Sequence, residues 1–156
     1  MDSYCIDTSA LIAAWQERYP VENFPAFWNR IGHLIDSERL TAPLEVLRET
    51  AKRSDELHQW LSTRKQMFRE LEEAIQIEAA NVLAQFPRLV GERKLRTSAD
   101  PFVIALARVA GLRIVTEEKP SGSVDRPNIP DVCSALNMAP CMSLLELIRA
   151  EKWVLG

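Results

Sequence analysis

The sequence predicts an α/β protein, a parallel sheet with helices on its faces. Short apolar runs suited to strands, at residues 4–6, 40–42 and 112–115, alternate with long stretches of helical apolar spacing. That alternation is the signature of strand–helix–strand units and a parallel sheet. The first and last of these strands also run straight into acids, Asp7 and the Thr116-Glu117-Glu118 run. In open α/β sheets, sites form at the carboxyl ends of strands. With 156 residues the chain is expected to be a single domain, 1–156, large enough for a proper core.

In order, residues 4–6 read as a buried strand, and Thr8-Ser9 offer hydroxyls to cap the helix behind it. Leu11, Ile12 and Trp15 share a helical face that Pro20 ends. Asn23 is placed to cap a second helix, with Pro25 tolerated in its first turn. Phe24, Phe27, Trp28, Ile31, Leu34 and Ile35 form that helix's apolar stripe. Pro43 opens a third helix carrying Glu45 and Glu49. From residue 54 to 86 the pattern is helical and charged, with a break near Ser62-Thr63.

Ser98, Asp100 and Pro101 together signal a helix start, and Gly111 its end. Residues 119–130, with three prolines and Gly122, predict a flexible loop. A short helix is expected over 131–137 and a last strand over 139–142, and Ser143 caps the closing helix.

Net charge is −3, which gives no strong global attraction to nucleic acid or an anionic membrane. Acids gathered around a metal would lower that figure without describing the rest of the surface. Cys5, Cys133 and Cys141 have no CxxC spacing, which argues against a disulfide framework and against structural zinc. No apolar run approaches the roughly 20 residues that cross a bilayer. The acidic start carries no signal-peptide pattern, so a cytoplasmic location is expected.

Taken singly, most of the acids have ordinary explanations. Asp100 at a helix start suits the helix dipole, and Glu49 on a helix suits solvent. Glu45 lies one turn earlier on the same face, so either could point inward, with Glu49 preferred. Glu117 and Glu118 suit a solvated loop, in which only one need matter. Asp7, directly behind an apolar strand, is the hardest to dismiss. On physical grounds the set supports a possible carboxylate metal site.

The order Cys5-Ile6-Asp7-Thr8-Ser9, then Glu49, then Ser98-Ala99-Asp100-Pro101-Phe102-Val103-Ile104-Ala105-Leu106-Ala107, then Ile114-Val115-Thr116-Glu117-Glu118 resembles the PIN-domain family, which includes VapC-like toxins. The Asn128-Ile129-Pro130-Asp131-Val132-Cys133 run and the aromatic-rich 19–28 stretch resemble one uncharacterised PIN-like subfamily. The resemblance implies a three-layer α/β/α sandwich with a central parallel sheet and a Mg²⁺- or Mn²⁺-dependent endoribonuclease, the toxin of a toxin–antitoxin pair. It puts Asp7, Glu49, Asp100 and Glu118 at the catalytic and metal-holding acid positions, with Ser9 and Thr116 supporting them. The family more often has Asp where Glu118 stands, so Glu117 and Asp131 remain rivals for the fourth position, Asp131 alternatively as a supporting partner. It further implies an RNA substrate, a cognate antitoxin protein and a possible homodimer.

Hard divalent cations prefer oxygen ligands, which suits this residue set, and no catalytic histidine is needed. His33 and His58 lack zinc spacing. Arg88, Arg93, Lys94 and Arg96, with Lys52, Arg53, Arg64, Lys65 and Arg69, could meet phosphates, or be solvated faces. Phe24, Phe27 and Trp28 could stack bases, but helical spacing favours core or interface. Two other readings compete. One is a catalytically weak PIN-like protein-binding module. The other is an aspartyl-phosphate phosphatase, disfavoured because Ser9 stands where a second Asp belongs.

Overall fold

A computed structural model describes residues 1–89 and 99–156. Among the described residues the four strands are β1 (Tyr4–Ile6), β2 (Leu40–Pro43), β3 (Phe68–Arg69) and β4 (Arg113–Val115). They form one sheet in the order β3-β2-β1-β4, and every pairing is parallel. Cys5 sits opposite Thr41 on one side and Ile114 on the other. The eight α-helices among the described residues are α1 (Thr8–Ala13), α2 (Pro25–Asp36), α3 (Leu44–Arg53), α4 (Asp55–Ser62), α5 (Glu73–Gln85), α6 (Asp100–Ala110), α7 (Ile129–Ala135) and α8 (Leu144–Glu151).

The architecture is a three-layer α/β/α sandwich, and side-chain alternation along β1 shows its two faces. The Cys5 thiol points at the Val103 carbonyl of α6. Its neighbour Tyr4 points the other way, its hydroxyl donating to Glu151 on α8. Arg39 grips that same carboxylate with both terminal nitrogens, at 2.8 and 2.6 Å. Helix α6 is apolar nearly all round, with Val103, Ile104, Ala105, Leu106 and Ala107 buried. A helix of that kind belongs inside, and α6 lies between the sheet and α5. Gly111, at φ +68°, ends it in the left-handed conformation that glycine adopts freely.

Several local expectations change. Phe24, not Asn23, is the capping residue of α2, and no side chain bonds to the helix start. The first helix continues past Ala13 as a π-helical turn over Ala14–Arg18. Strand β3 lies within the stretch read as helices with a break near Ser62-Thr63; α4 ends at that break, but a two-residue strand is too short for a periodic signal. The strand expected over 139–142 is reduced to one bridge between Val115 and Met142. The helix expected at 131 begins at Ile129.

The aromatic stripe of α2 is core. Phe27 and Trp28 are buried. Tyr19 stacks on Phe27 at 4.5 Å, and the edges of Trp28 and Trp153 meet Phe27 at 5.2 and 5.9 Å. Base stacking is therefore closed to Phe27 and Trp28, and only Phe24 of that set is exposed. Among the described residues no helix is long and apolar enough to cross a membrane.

Candidate acid site at the carboxyl edge of the sheet

Asp7 ends β1 and starts α1 at once. It is 1% exposed, and its backbone is extended while Oδ1 accepts the Ala10 amide at 2.9 Å. Asp7 is thus the helix cap, a role the sequence assigned to Thr8-Ser9. The hydroxyls do other work. Ser9 Oγ donates to the Asp7 carboxylate at 2.9 Å. Thr116 Oγ1, from the end of β4, donates to Oδ2 at 2.7 Å. Ser9 and Thr116 lie 3.3 Å apart, so both supporting hydroxyls close on one acid.

Thr8 was missed as a site residue. Its hydroxyl donates to Glu49 Oε1 at 2.7 Å. Glu49 also accepts a backbone bond from Ala99, the residue ahead of Asp100. One hydrogen-bonded path therefore runs from beside Asp7 through Glu49 to the start of α6. Glu49 is 9% and Asp100 is 5% exposed. The only sequence signal for Thr8 was its place next to Asp7.

Glu118 is tied in from the other side. Its amide donates to Thr116 Oγ1 at 3.0 Å, and its Oε1 accepts the Ile129 amide at the start of α7 at 3.1 Å. Its charge reaches Asp7. Burial first, and Glu118 second, push the Asp7 carboxyl up to about 7, against the opposing hydrogen bonds from Thr116, Ala10 and Ser9. Burial also raises Glu49, partly offset by its bond from Thr8.

The two rivals for the fourth position have other partners. Glu117 Oε1 lies 3.1 Å from Arg18 Nε, an ion pair without good hydrogen-bond alignment. Asp131 accepts from the amides of Ser121, Gly122 and Asn128 and from the Ser121 hydroxyl. Burial alone would raise its carboxyl, but those bonds outweigh it and hold it below the usual range. Asp131 fixes the loop over 119–130 rather than supporting Asp7. Glu45 is half-buried, with Oε2 3.5 Å from Arg48 and Oε1 without a hydrogen-bond partner among the described residues.

A cavity of about 720 Å³ opens beside this edge, lined by Thr116, Glu117, Glu118, Arg18, Cys133 and Cys141 among others. Of the basic residues, Arg64 stacks 3.7 Å over Trp60, Arg69 pairs with Glu72 and Arg88 pairs with Asp125. Lys52, Arg53 and Lys65 are exposed. Arg93, Lys94, Arg96 and the Ser98 cap lie outside the described residues.

Fold and site together define a three-layer α/β/α protein with buried acids at the carboxyl edge of a parallel sheet. The chain belongs to the family described as Domain of unknown function (DUF4411), whose model matches residues 4–155. It is similar in fold to the crystal structure of PAE2754 from Pyrobaculum aerophilum, with a TM-score of 0.52 and 16% identity. That likeness covers 97% of this chain and 98% of the other. No curated protein matches.

The donor chemistry suits a hard divalent cation: all four acids offer oxygen, and burial and a like charge raise the Asp7 carboxyl to about 7, a charge that a cation would relieve. The arrangement is not a closed ligand shell, because among the described residues no three His, Cys, Asp or Glu side chains are grouped to hold a metal.

Proposed function

We propose that this chain is a Mg²⁺- or Mn²⁺-dependent endoribonuclease of the PIN-domain kind, the toxin of a toxin–antitoxin pair. The observation that carries the reading is the set of buried acids at the carboxyl edge of the sheet: Asp7 behind β1, Glu49 on α3 and Asp100 at the start of α6, with Glu118 held beside them through Thr116. Asp7, Glu49, Asp100 and Glu118 would hold the cation. The chemistry it supplies is activation of a water and stabilisation of charge on phosphodiester oxygens.

This chain's own residues prepare that chemistry. Asp7 holds a proton up to near neutral pH, so cation binding competes with protonation there. Ser9 and Thr116 fix the orientation of the Asp7 carboxylate, and Thr8 fixes Glu49. The Ile129 amide steadies Glu118. The test is cleavage of a labelled mixed RNA pool with Mn²⁺, Mg²⁺ or EDTA, wild type beside Asp7→Asn. Metal-dependent cutting that the variant loses is the expected result; equal cutting by both proteins would remove the assignment.

A second reading has its own support. The acids are not grouped as a metal shell among the described residues, and Glu118 is occupied at the start of α7. A PIN-like module that binds a protein partner without metal fits those two facts. Calorimetry with Mn²⁺ separates the readings, since tight binding lost in Asp7→Asn belongs only to the nuclease. The antitoxin and the homodimer belong to the nuclease proposal. Co-purification of the native protein with a neighbouring small protein, and its mass in solution, test them.

A further inference from the structure

Two of the three cysteines are neighbours in space, although their spacing suggested no pairing. Cys133 lies on α7 and is 2% exposed; Cys141 precedes Met142 and is half-buried. Their side chains are close enough to interact directly. Both line the cavity of about 720 Å³ beside Glu118, so small solutes have a route to them.

The backbone holds both in place. The Cys133 carbonyl accepts the Met138 amide at 2.9 Å, closing the turn after α7. Next to Cys141, the Met142 amide donates to Ile114 and its carbonyl accepts from Thr116, each at 2.9 Å. Between the two cysteines, Asn137 turns the chain at φ +55°. Cys5 is no rival partner: it is fully buried, with its thiol directed at Val103 of α6.

We propose that Cys133 and Cys141 are an oxidative modification site, a dithiol that a small hydroperoxide converts to an intramolecular disulfide. The half-exposed Cys141 reacts first. With hydrogen peroxide, its sulfur attacks one peroxide oxygen, an S–O bond forms, the O–O bond breaks, and the departing hydroxide takes the Cys141 thiol proton to leave as water. The Cys133 sulfur then attacks the Cys141 sulfenic sulfur. An S–S bond forms, the S–O bond breaks, and the leaving hydroxide takes the Cys133 proton as a second water. The dithiol loses two electrons and the peroxide gains them. The bond ties α7 to the segment that hydrogen-bonds the end of β4, directly beside Thr116 and Glu118. This inference stands apart from the nuclease reading, and its test uses no activity.

The experiment treats the full-length reduced protein with hydrogen peroxide, removes the peroxide, denatures, alkylates with iodoacetamide and measures the intact mass. Two of the three thiols should be lost to alkylation, with a peptide linked through Cys133 and Cys141 and full recovery after dithiothreitol. In Cys141→Ser the other two thiols should stay alkylatable. In Cys133→Ser a dimedone probe should trap sulfenic acid at Cys141. Three alkylatable thiols after treatment, a link through Cys5, or direct conversion of Cys141 to sulfinic acid without a link would each overturn the proposal. Should Cys133→Ser fail to fold, wild type and Cys141→Ser still decide it.

Discussion

Replacing Asp7 by Asn is expected to make the protein more stable at pH 8 and less stable at pH 4. Asp7 moves from its ordinary 3.8 to about 7 inside the fold. Between those values the native chain holds a proton that the unfolded chain has released, so stability falls as pH rises. The contribution is intact below 3.8 and gone above about 7. At about 1.4 kcal/mol per pH unit, ionised Asp7 costs the apo fold about 4 kcal/mol at pH 8. Asn caps a helix as well as Asp does, so the Ala10 bond survives. Weaker bonds from Ser9 and Thr116 give back about 1–2 kcal/mol. The net gain at pH 8 is therefore about 2–3 kcal/mol, shrinking and reversing near pH 4. Urea unfolding of both proteins in EDTA at pH 4, 6 and 8, followed by tryptophan fluorescence, measures it. A wild-type-minus-variant difference that ignores pH, or a variant less stable at pH 8, would refute the account of Asp7. Adding Mn²⁺ at pH 8 should stabilise wild type and not the variant, if the acids hold metal.

Glu151→Ala should cost about 1–3 kcal/mol by stranding Arg39 and the Tyr4 hydroxyl, with no change at the acid edge. Arg39 holds the Glu151 carboxyl below its usual range, so this contribution is present above that range and lost on acidification, which a pH series of melts of wild type and variant checks. Asp131→Ala should open the loop over 119–130 to limited proteolysis, while Mn²⁺ titration by calorimetry matches wild type; a loss of affinity would return Asp131 to the ligand set. Phe27→Ala should destabilise by about 3–5 kcal/mol in urea, because a fully buried ring packed by Tyr19, Trp28 and Trp153 leaves a cavity that cannot collapse.

Patterns confined to a few turns were legible in the sequence. The Ser143 cap, Gly111 at the end of α6, and the apolar triplet of β1 all formed as read. Each is decided by neighbours within about four residues. The candidate acids were legible as residues for the same reason: strand ends and helix starts mark the edge of an α/β sheet. Their mutual relations were not. Thr116 reaches Asp7 across 109 positions because the order β3-β2-β1-β4 sets β4 beside β1. The same packing turned Thr8 to Glu49, gave Asp131 to its loop, buried the α2 aromatics and set Cys133 against Cys141. A carboxyl's titration depends on the charges and solvent around it, and a thiol's reactivity on which sulfur faces it. The sequence by itself determined which groups stand at the sheet's edge; only tertiary structure decided which of them share a hydrogen bond, a charge interaction or a cavity, because those depend on contacts between elements far apart in the chain.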